Sequence, residues 1–303
     1  TTEQTGSEKR MNIPVYIRRR FGLVATVIAC AMSAPVLASE SVHLDTFPTE
    51  KMQNMPALQD GARTFVNYCL NCHAASMMRF NRLQDIGLTE EQITGSLQFT
   101  EGRVGDLMKI AMRPEDGKAW FGAAPPDLSV EARARASESG SGADWIYTYL
   151  RSYYRDASRE TGWNNAVFPN VGMPNPLWQW QGMRGAVEER LAPVTDEATG
   201  KVTGWTKTTI TYDREGNKSE KVENVSGDNL HEGTHFTLDK AEGGTLSQAE
   251  FDDKVANLVA FMKFMSDPSA STRGRLGIWV LLFIALFVGC TWWLNREYWK
   301  DVK

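Results

Sequence analysis

Two cysteines three positions apart with a histidine directly behind them, Cys69-Leu70-Asn71-Cys72-His73, constrain this chain more than any other feature. That spacing is the attachment pattern of a c-type haem. Thioether bonds from both sulfurs tie one porphyrin to the chain, and the adjacent histidine is forced beneath the iron as an axial ligand. A chain with such a site has to wrap its helices and loops around a large flat ligand. The cysteine count agrees with this use. Of four cysteines, Cys30 and Cys290 fall in apolar runs near the two ends, so only Cys69 and Cys72 stand in the central domain. A disulfide at that spacing would suit thioredoxin-like chemistry, which expects a βαβ context that the flanking residues do not offer.

The ends bear on location. Arg18, Arg19 and Arg20 precede the apolar run FGLVATVIACAMSAPVLA, which exits in small residues before Ser39 and Glu40. That pattern reads as a secretory signal cut after Ala38, and Pro35 favours it over an uncleaved anchor. The residues ahead of Met11 are left out of the fold reading. Near the other end, Leu276–Leu294 carries no charge over 19 residues, enough to cross about 30 Å of hydrocarbon at about 1.5 Å per residue. Trp279 flanks one end, and Trp292, Trp293, Tyr298 and Trp299 crowd the other, as interfacial aromatic belts do. The expected organisation is an N-terminal extension and signal over 1–38, an exported haem domain over 39–272, a transmembrane anchor over 273–295 and a cytoplasmic tail over 296–303. A net charge of -4 argues against nucleic-acid binding, which wants a basic surface.

Within the exported domain the pattern is mainly helical. Leu58, Ala62, Phe65 and Val66 share one face of a helix over 57–68 that ends at the Cys-His run. Thr89 caps a short helix, VGDLMKIAM reads as another stopped by Pro114, and the adjacent Pro125 and Pro126 place WFGAAPPDLS in a loop. Residues 130–136 and 143–155 read as helices, and the Gly- and Pro-rich stretch around Met173 as a loop. Alternating threonines predict a β-hairpin insertion over about 199–239. A capping box, Ser247 with Glu250, opens a long helix with Phe251, Val255, Leu258, Val259, Met262 and Met265 on one face. The first and last of these helices are expected to pack together around the loop-wrapped ligand.

The second axial ligand is less constrained by spacing. Met77 and Met78 follow His73 too closely to reach the far face of a macrocycle, and Met262 and Met265 sit on a core stripe. Met173 stands in NVGMPNP, where Gly172 allows close approach and Pro174 stiffens the chain behind it, so Met173 is the expected ligand. His43, His231 and His235 are the bis-histidine alternatives. His231 to His235, HEGTH, also matches a zinc-protease motif, but Gly233 and Thr234 behind a predicted hairpin argue against the helix that chemistry needs. Haem propionates want cationic partners, and Arg133 and Arg135 follow the double proline; a solvated helix face is the alternative for both.

GARTFVNYCLNCH, MRFNRL, WFGAAPPDLS, GWNNAVFPNVGMP and a single C-terminal membrane helix together resemble the cytochrome c1 family of quinol–cytochrome c oxidoreductase (bc1) complexes, bacterial members above all. The likeness runs from about Leu58 to the anchor. It implies a mainly α, class I-like c-type cytochrome domain carrying one covalent haem c, with His73 and Met173 as axial ligands. It also implies Arg135 at a propionate, and the double proline along the haem edge at Pro125, with a carbonyl there accepting the His73 Nδ1–H. Trp145 stands where many members have a tyrosine. The implied role is relay of one electron from the Rieske iron–sulfur protein to a soluble or membrane-bound c-type cytochrome. The implied setting is a dimeric complex with cytochrome b in a bacterial inner membrane, with the haem domain in the periplasm. Two other readings are a membrane-tethered cytochrome acting as an independent carrier and a haem peroxidase with an open sixth site.

Overall fold

The computed structural model describes residues 43–99, 102–196, 201–227 and 230–300; the expected signal, with Cys30, lies outside them. The Asn54 side chain caps helix α1 (Met55–Thr64) by accepting from the Ala57 amide, and Pro56 sits in the first turn where no amide donor is needed. Over Phe65–Cys69 the helix widens to a π turn, with the Leu70 amide donating to the Phe65 carbonyl at 2.9 Å. Strand β1 (Ala75–Arg79) follows. A capping box of Thr89 and Gln92 opens α2 (Glu90–Ser96), as the sequence predicts.

The next segment departs from expectation. VGDLMKIAM is not helical: Leu107–Met108 form β2, antiparallel to β1, and Pro114 starts α3 (Pro114–Phe121) instead of stopping a helix. Proline's fixed φ and missing N–H suit a first helical position as well as they forbid an interior one. Trp120 and Phe121 therefore close a helix, and the expected loop begins only at Gly122.

Helices α4 (Glu131–Ala134) and α5 (Gly142–Leu150) follow, the second opened by a capping box of Ser141 and Asp144. The helix expected to run to 155 ends at Leu150. Tyr153–Arg155 instead make β3, paired with β4 (Trp163–Asn165) inside a stretch expected to be irregular. Aromatic side chains pack well on a pleated, buried pair, and that tertiary setting outweighs the helical pattern. A single turn, α6 (Trp178–Gln181), leads into β5 (Gly182–Met183).

The expected hairpin is part of a larger sheet. Strands β6 (Ala186–Thr195), β7 (Val202–Tyr212), β8 (Lys218–Val225) and β9 (Gly233–Leu238) form an antiparallel sheet in the order β8-β7-β6-β9. Alternation along β6 is disguised because Glu188, an inward position, is charged and buried. β10 (Glu242–Gly243) pairs back onto β5.

Helix α7 (Gln248–Ser266) starts at the Ser247–Glu250 capping box and ends at Asp267. It is the spine of the core: Phe251, Val255 and Met262 are buried, and so are Ala256, Phe261 and Phe264 outside the expected stripe. α1 crosses it closely. A Cβ on Gly61 would lie 2.0 Å from the Asn257 carbonyl oxygen. Phe65 packs on Phe261 with ring centroids 5.5 Å apart, and Asp60 accepts from Lys254 Nζ at 2.6 Å and Asn257 Nδ2 at 2.9 Å. α8 (Ala270–Tyr298) is 29 residues of helix, about 44 Å at 1.5 Å per residue, and Thr272–Tyr298 is long and apolar enough to cross a membrane.

Candidate functional site

Helix α1 delivers Cys69, Cys72 and His73 to one wall of a cavity of about 330 Å³. The π turn and the following bend, closed by the His73 amide on the Cys69 carbonyl at 2.9 Å, turn all three side chains to the same space. Both cysteines are free thiols. Burial pushes the Cys69 thiol up to about 12 and raises that of Cys72 as well, so neither is a thiolate at neutral pH. His73 is buried, and that burial outweighs the Pro126 carbonyl, Glu131 and Asp127 to hold its pKa below the usual value. Its Nδ1 lies 2.8 Å from the Pro126 carbonyl oxygen, which can only accept, so Nδ1 carries the proton. The Nε2 lone pair is left for a metal.

The double-proline loop is held against His73 by the carboxylate of Asp127. Its Oδ2 accepts from the Ser76 amide at 2.8 Å and the Ser76 hydroxyl at 2.6 Å, and its Oδ1 accepts from the Ser129 amide at 2.8 Å. The Leu128 amide donates to the Ala74 carbonyl at 2.8 Å, and the Met77 amide to the Ser129 hydroxyl at 3.0 Å. Burial raises the Asp127 pKa, but these donors prevail and hold it below the usual carboxylate value. Pro125 and Pro126 both line the cavity.

Met173 reaches the same cavity from the loop after β4. Three buried asparagines shape that loop. Asn165 Nδ2 donates to the Tyr149 carbonyl at 2.8 Å while its Oδ1 accepts from the Val167 amide; Asn164 Oδ1 accepts from the Asn170 amide at 2.8 Å; Asn175 binds Gln181 and the Leu177 amide. Asn170 adopts φ 64°, and Arg159 grips its side chain and carbonyl. Gly172 is needed for close approach, since a Cβ there would fall 2.6 Å from the Phe121 carbonyl oxygen. The Met173 sulfur accepts from the Tyr149 hydroxyl at 3.5 Å.

Arg135 also lines the cavity. Its Nε donates to Glu131 at 2.5 Å and its guanidinium lies 4.4 Å from the Trp145 ring centroid, whereas Arg133 is exposed. The alternatives raised by the sequence lie elsewhere. His43, His231 and His235 are exposed and absent from the cavity wall; His235 is on β9, which rules out a helical zinc site. Met77 is exposed and Met78 buried away from the cavity, while Met262 reaches its wall from the core face of α7. Sequence reasoning missed Asp127, Tyr149 and the three asparagines. The asparagines left a signal as amides clustered in WNN and NVGMPN, but only the folded loops show what they hold.

A nearly all-apolar cavity of this size lies within the range of small-molecule and cofactor sites. Two thiols, an imidazole with a free lone pair, a thioether and a guanidinium meet there, a donor set that fits a covalently attached His/Met haem. The family profile described as the Cytochrome C1 family matches residues 48–187. A protein of Nitrosomonas europaea named ammonia monooxygenase gamma subunit is 37% identical over 92% of this chain and 99% of its own length. Cytochrome c1 of Allochromatium vinosum is 34% identical over 92% of this chain and 98% of its own. The chain belongs to the cytochrome c1 family. A cytochrome b/c1 of Bradyrhizobium diazoefficiens is 22% identical over 81% of this chain, which covers 33% of that longer protein. Membership of the cytochrome c1 family implies a covalently bound haem c, and the apolar C-terminal helix fits a single-pass membrane-anchored member.

Proposed function

We propose that this cytochrome c1 carries one haem c and relays single electrons within a bc1 complex, from a Rieske iron–sulfur protein to a c-type cytochrome. When bound, the haem supplies the Fe(III)/Fe(II) couple, and no acid–base or nucleophilic side chain is required. Cys69 and Cys72 hold it covalently, and His73 and Met173 ligate the iron. Pro126 fixes the His73 tautomer, Pro125 covers the haem edge and Arg135 meets a propionate. The observation that carries this reading is the convergence of the Cys-His run and Met173, a hundred residues apart, on one cavity.

The domain is read as class I-like because α1 and α7 cross beside the ligand space and a loop supplies the methionine. The cytochrome b subunit is proposed as the neighbour of α8, in keeping with the fused name cytochrome b/c1 of one relative. The complex is a dimer in a bacterial inner membrane. The haem domain, 39–272, faces the periplasm after cleavage of the signal over 1–38, the anchor spans 273–295, and the tail over 296–303 is cytoplasmic. The likeness at 37% identity supports a second setting, in which the same haem protein serves an ammonia monooxygenase. No observation favours an independent tethered carrier.

Two measurements test this reading. Denatured, solvent-extracted protein should keep its pigment, and loss of all pigment would remove the covalent haem. Mass spectrometry of the complex purified in mild detergent should find a b-type cytochrome and a Rieske protein. Finding ammonia monooxygenase subunits instead would replace the setting.

A further inference from the structure

We propose that Tyr149 is a positioning residue for Met173: its hydroxyl, oriented by Tyr153, donates a hydrogen bond to the Met173 sulfur and so tunes the reduction equilibrium of the iron. The inference rests on the ligand set proposed above and goes beyond it in naming a residue that touches the ligand and not the iron. A thioether sulfur has no proton and can only accept, so the single Tyr149 O–H is committed to Met173 at 3.5 Å, a separation suited to the larger sulfur atom. The Tyr149 and Tyr153 oxygens are 2.6 Å apart. When the Tyr149 proton goes to the sulfur, the Tyr153 hydroxyl is the donor in this bond. The result is a one-way chain, Tyr153 to Tyr149 to Met173, in which each bond polarises the next.

The Tyr149 ring and its backbone are both braced. Its face stacks on Trp145 at 4.8 Å and 13°, its edge meets Tyr153 at 5.3 Å, and its carbonyl accepts from Asn165. Tyr153 is fully buried. The hydroxyl is thus aimed at one sulfur on the cavity wall.

Sulfur offers two lone pairs, one for a metal and one for the hydroxyl. A hydrogen bond on the second draws density from the first and weakens donation to ferric iron more than to ferrous iron. Removing it should therefore favour the oxidised form and lower the potential.

The test uses the full-length, haem-loaded chain in detergent, with haem stain on a denaturing gel, redox titration and the methionine-to-iron charge-transfer band as readouts. Tyr149→Phe keeps the stacking and removes the donor. Its equilibrium constant for reduction should fall about threefold, about 28 mV at 59 mV per tenfold for one electron, with a shifted charge-transfer band. Tyr153→Phe leaves the donor but removes its polarising partner, so a smaller shift of the same sign is expected. In a Met173→His background the sulfur is gone, and Tyr149→Phe should leave the potential unchanged. Covalent pigment with identical potentials in the parent chain and Tyr149→Phe would overturn the inference while leaving the haem reading intact. An equal shift in the Met173→His background would overturn it too. Should Tyr149→Phe not accumulate, an unchanged potential in Tyr153→Phe does the same. A parent chain without covalent pigment would overturn the haem reading and this inference together.

Discussion

His73 is specified by a short covalent motif but held by residues fifty positions away, and the two contributions can be separated by substitution. Asp127 touches the cavity only through the loop it braces, and its carboxylate accepts three hydrogen bonds from the chain behind His73 and its own loop. Asp127→Ala strands those donors, and we expect about 2–3 kcal/mol lost in denaturant unfolding. The His73 ring, released from the Pro126 carbonyl, should also show a broadened set of ring orientations by NMR. Met173 gives a sharper readout. Met173→Leu keeps the volume and removes the sulfur, so ferrous protein that excludes carbon monoxide should begin to bind it, seen as a new Soret position. Readily bound carbon monoxide in the unaltered protein would mean that Met173 does not ligate. At this scale the Cys-His run was readable from five residues because its pattern is a spacing between near neighbours. Tyr149, Asp127 and Asn165 were not, since an ordinary polar side chain acquires a role only from what the fold sets beside it.

Among elements, the crossing of α1 and α7 carries most of the structure around the cavity. Gly61 is at the point of contact, where a Cβ would stand only 2.0 Å from the Asn257 carbonyl oxygen. Gly61→Ala must push the helices apart, and a loss of about 3 kcal/mol or more is expected from thermal or denaturant melts, with the haem stain reduced. The same crossing contains a pH-sensitive tie. Burial raises the Asp60 pKa, but Lys254, Asn257 and Arg63 outweigh it and hold the value below 3.8. A carboxylate depressed in the folded state stabilises it above the unfolded pKa, and that contribution disappears as pH falls through the folded one. Acid titration of stability should therefore fall more steeply below about pH 4 in the parent protein than in Asp60→Asn. Helix ends with capping boxes, at Thr89, Ser141 and Ser247, follow from four-residue patterns, because the hydrogen bonds that make them are local. Pro114 and Tyr153–Arg155 misled the pattern. A proline can open or close a helix, and an aromatic run fits either a buried helix or a buried strand.

Across the whole molecule, the cavity draws on the π turn and bend after α1, the end of α3, the two Pro-rich loops, α4, α5 and α7, and takes no residue from the four-stranded sheet between 186 and 238. Replacing the β7–β8 hairpin with a short turn should lower stability and leave covalent haem and its spectrum in place, which a haem stain with an optical spectrum will check. The chain alone marked two things: the Cys69, Cys72 and His73 run, and the apolar helix near the C-terminus. Each is written in neighbouring residues, where spacing and hydropathy are the physics. Tertiary structure decided the rest. It brought both Met173 and Met262 to one cavity wall, recruited β6 despite its buried Glu188, and set Tyr149 within reach of a sulfur 24 residues later. Those outcomes depend on which surfaces close against each other, and burial, unlike spacing, is a property that no short stretch of chain possesses until the others have packed around it.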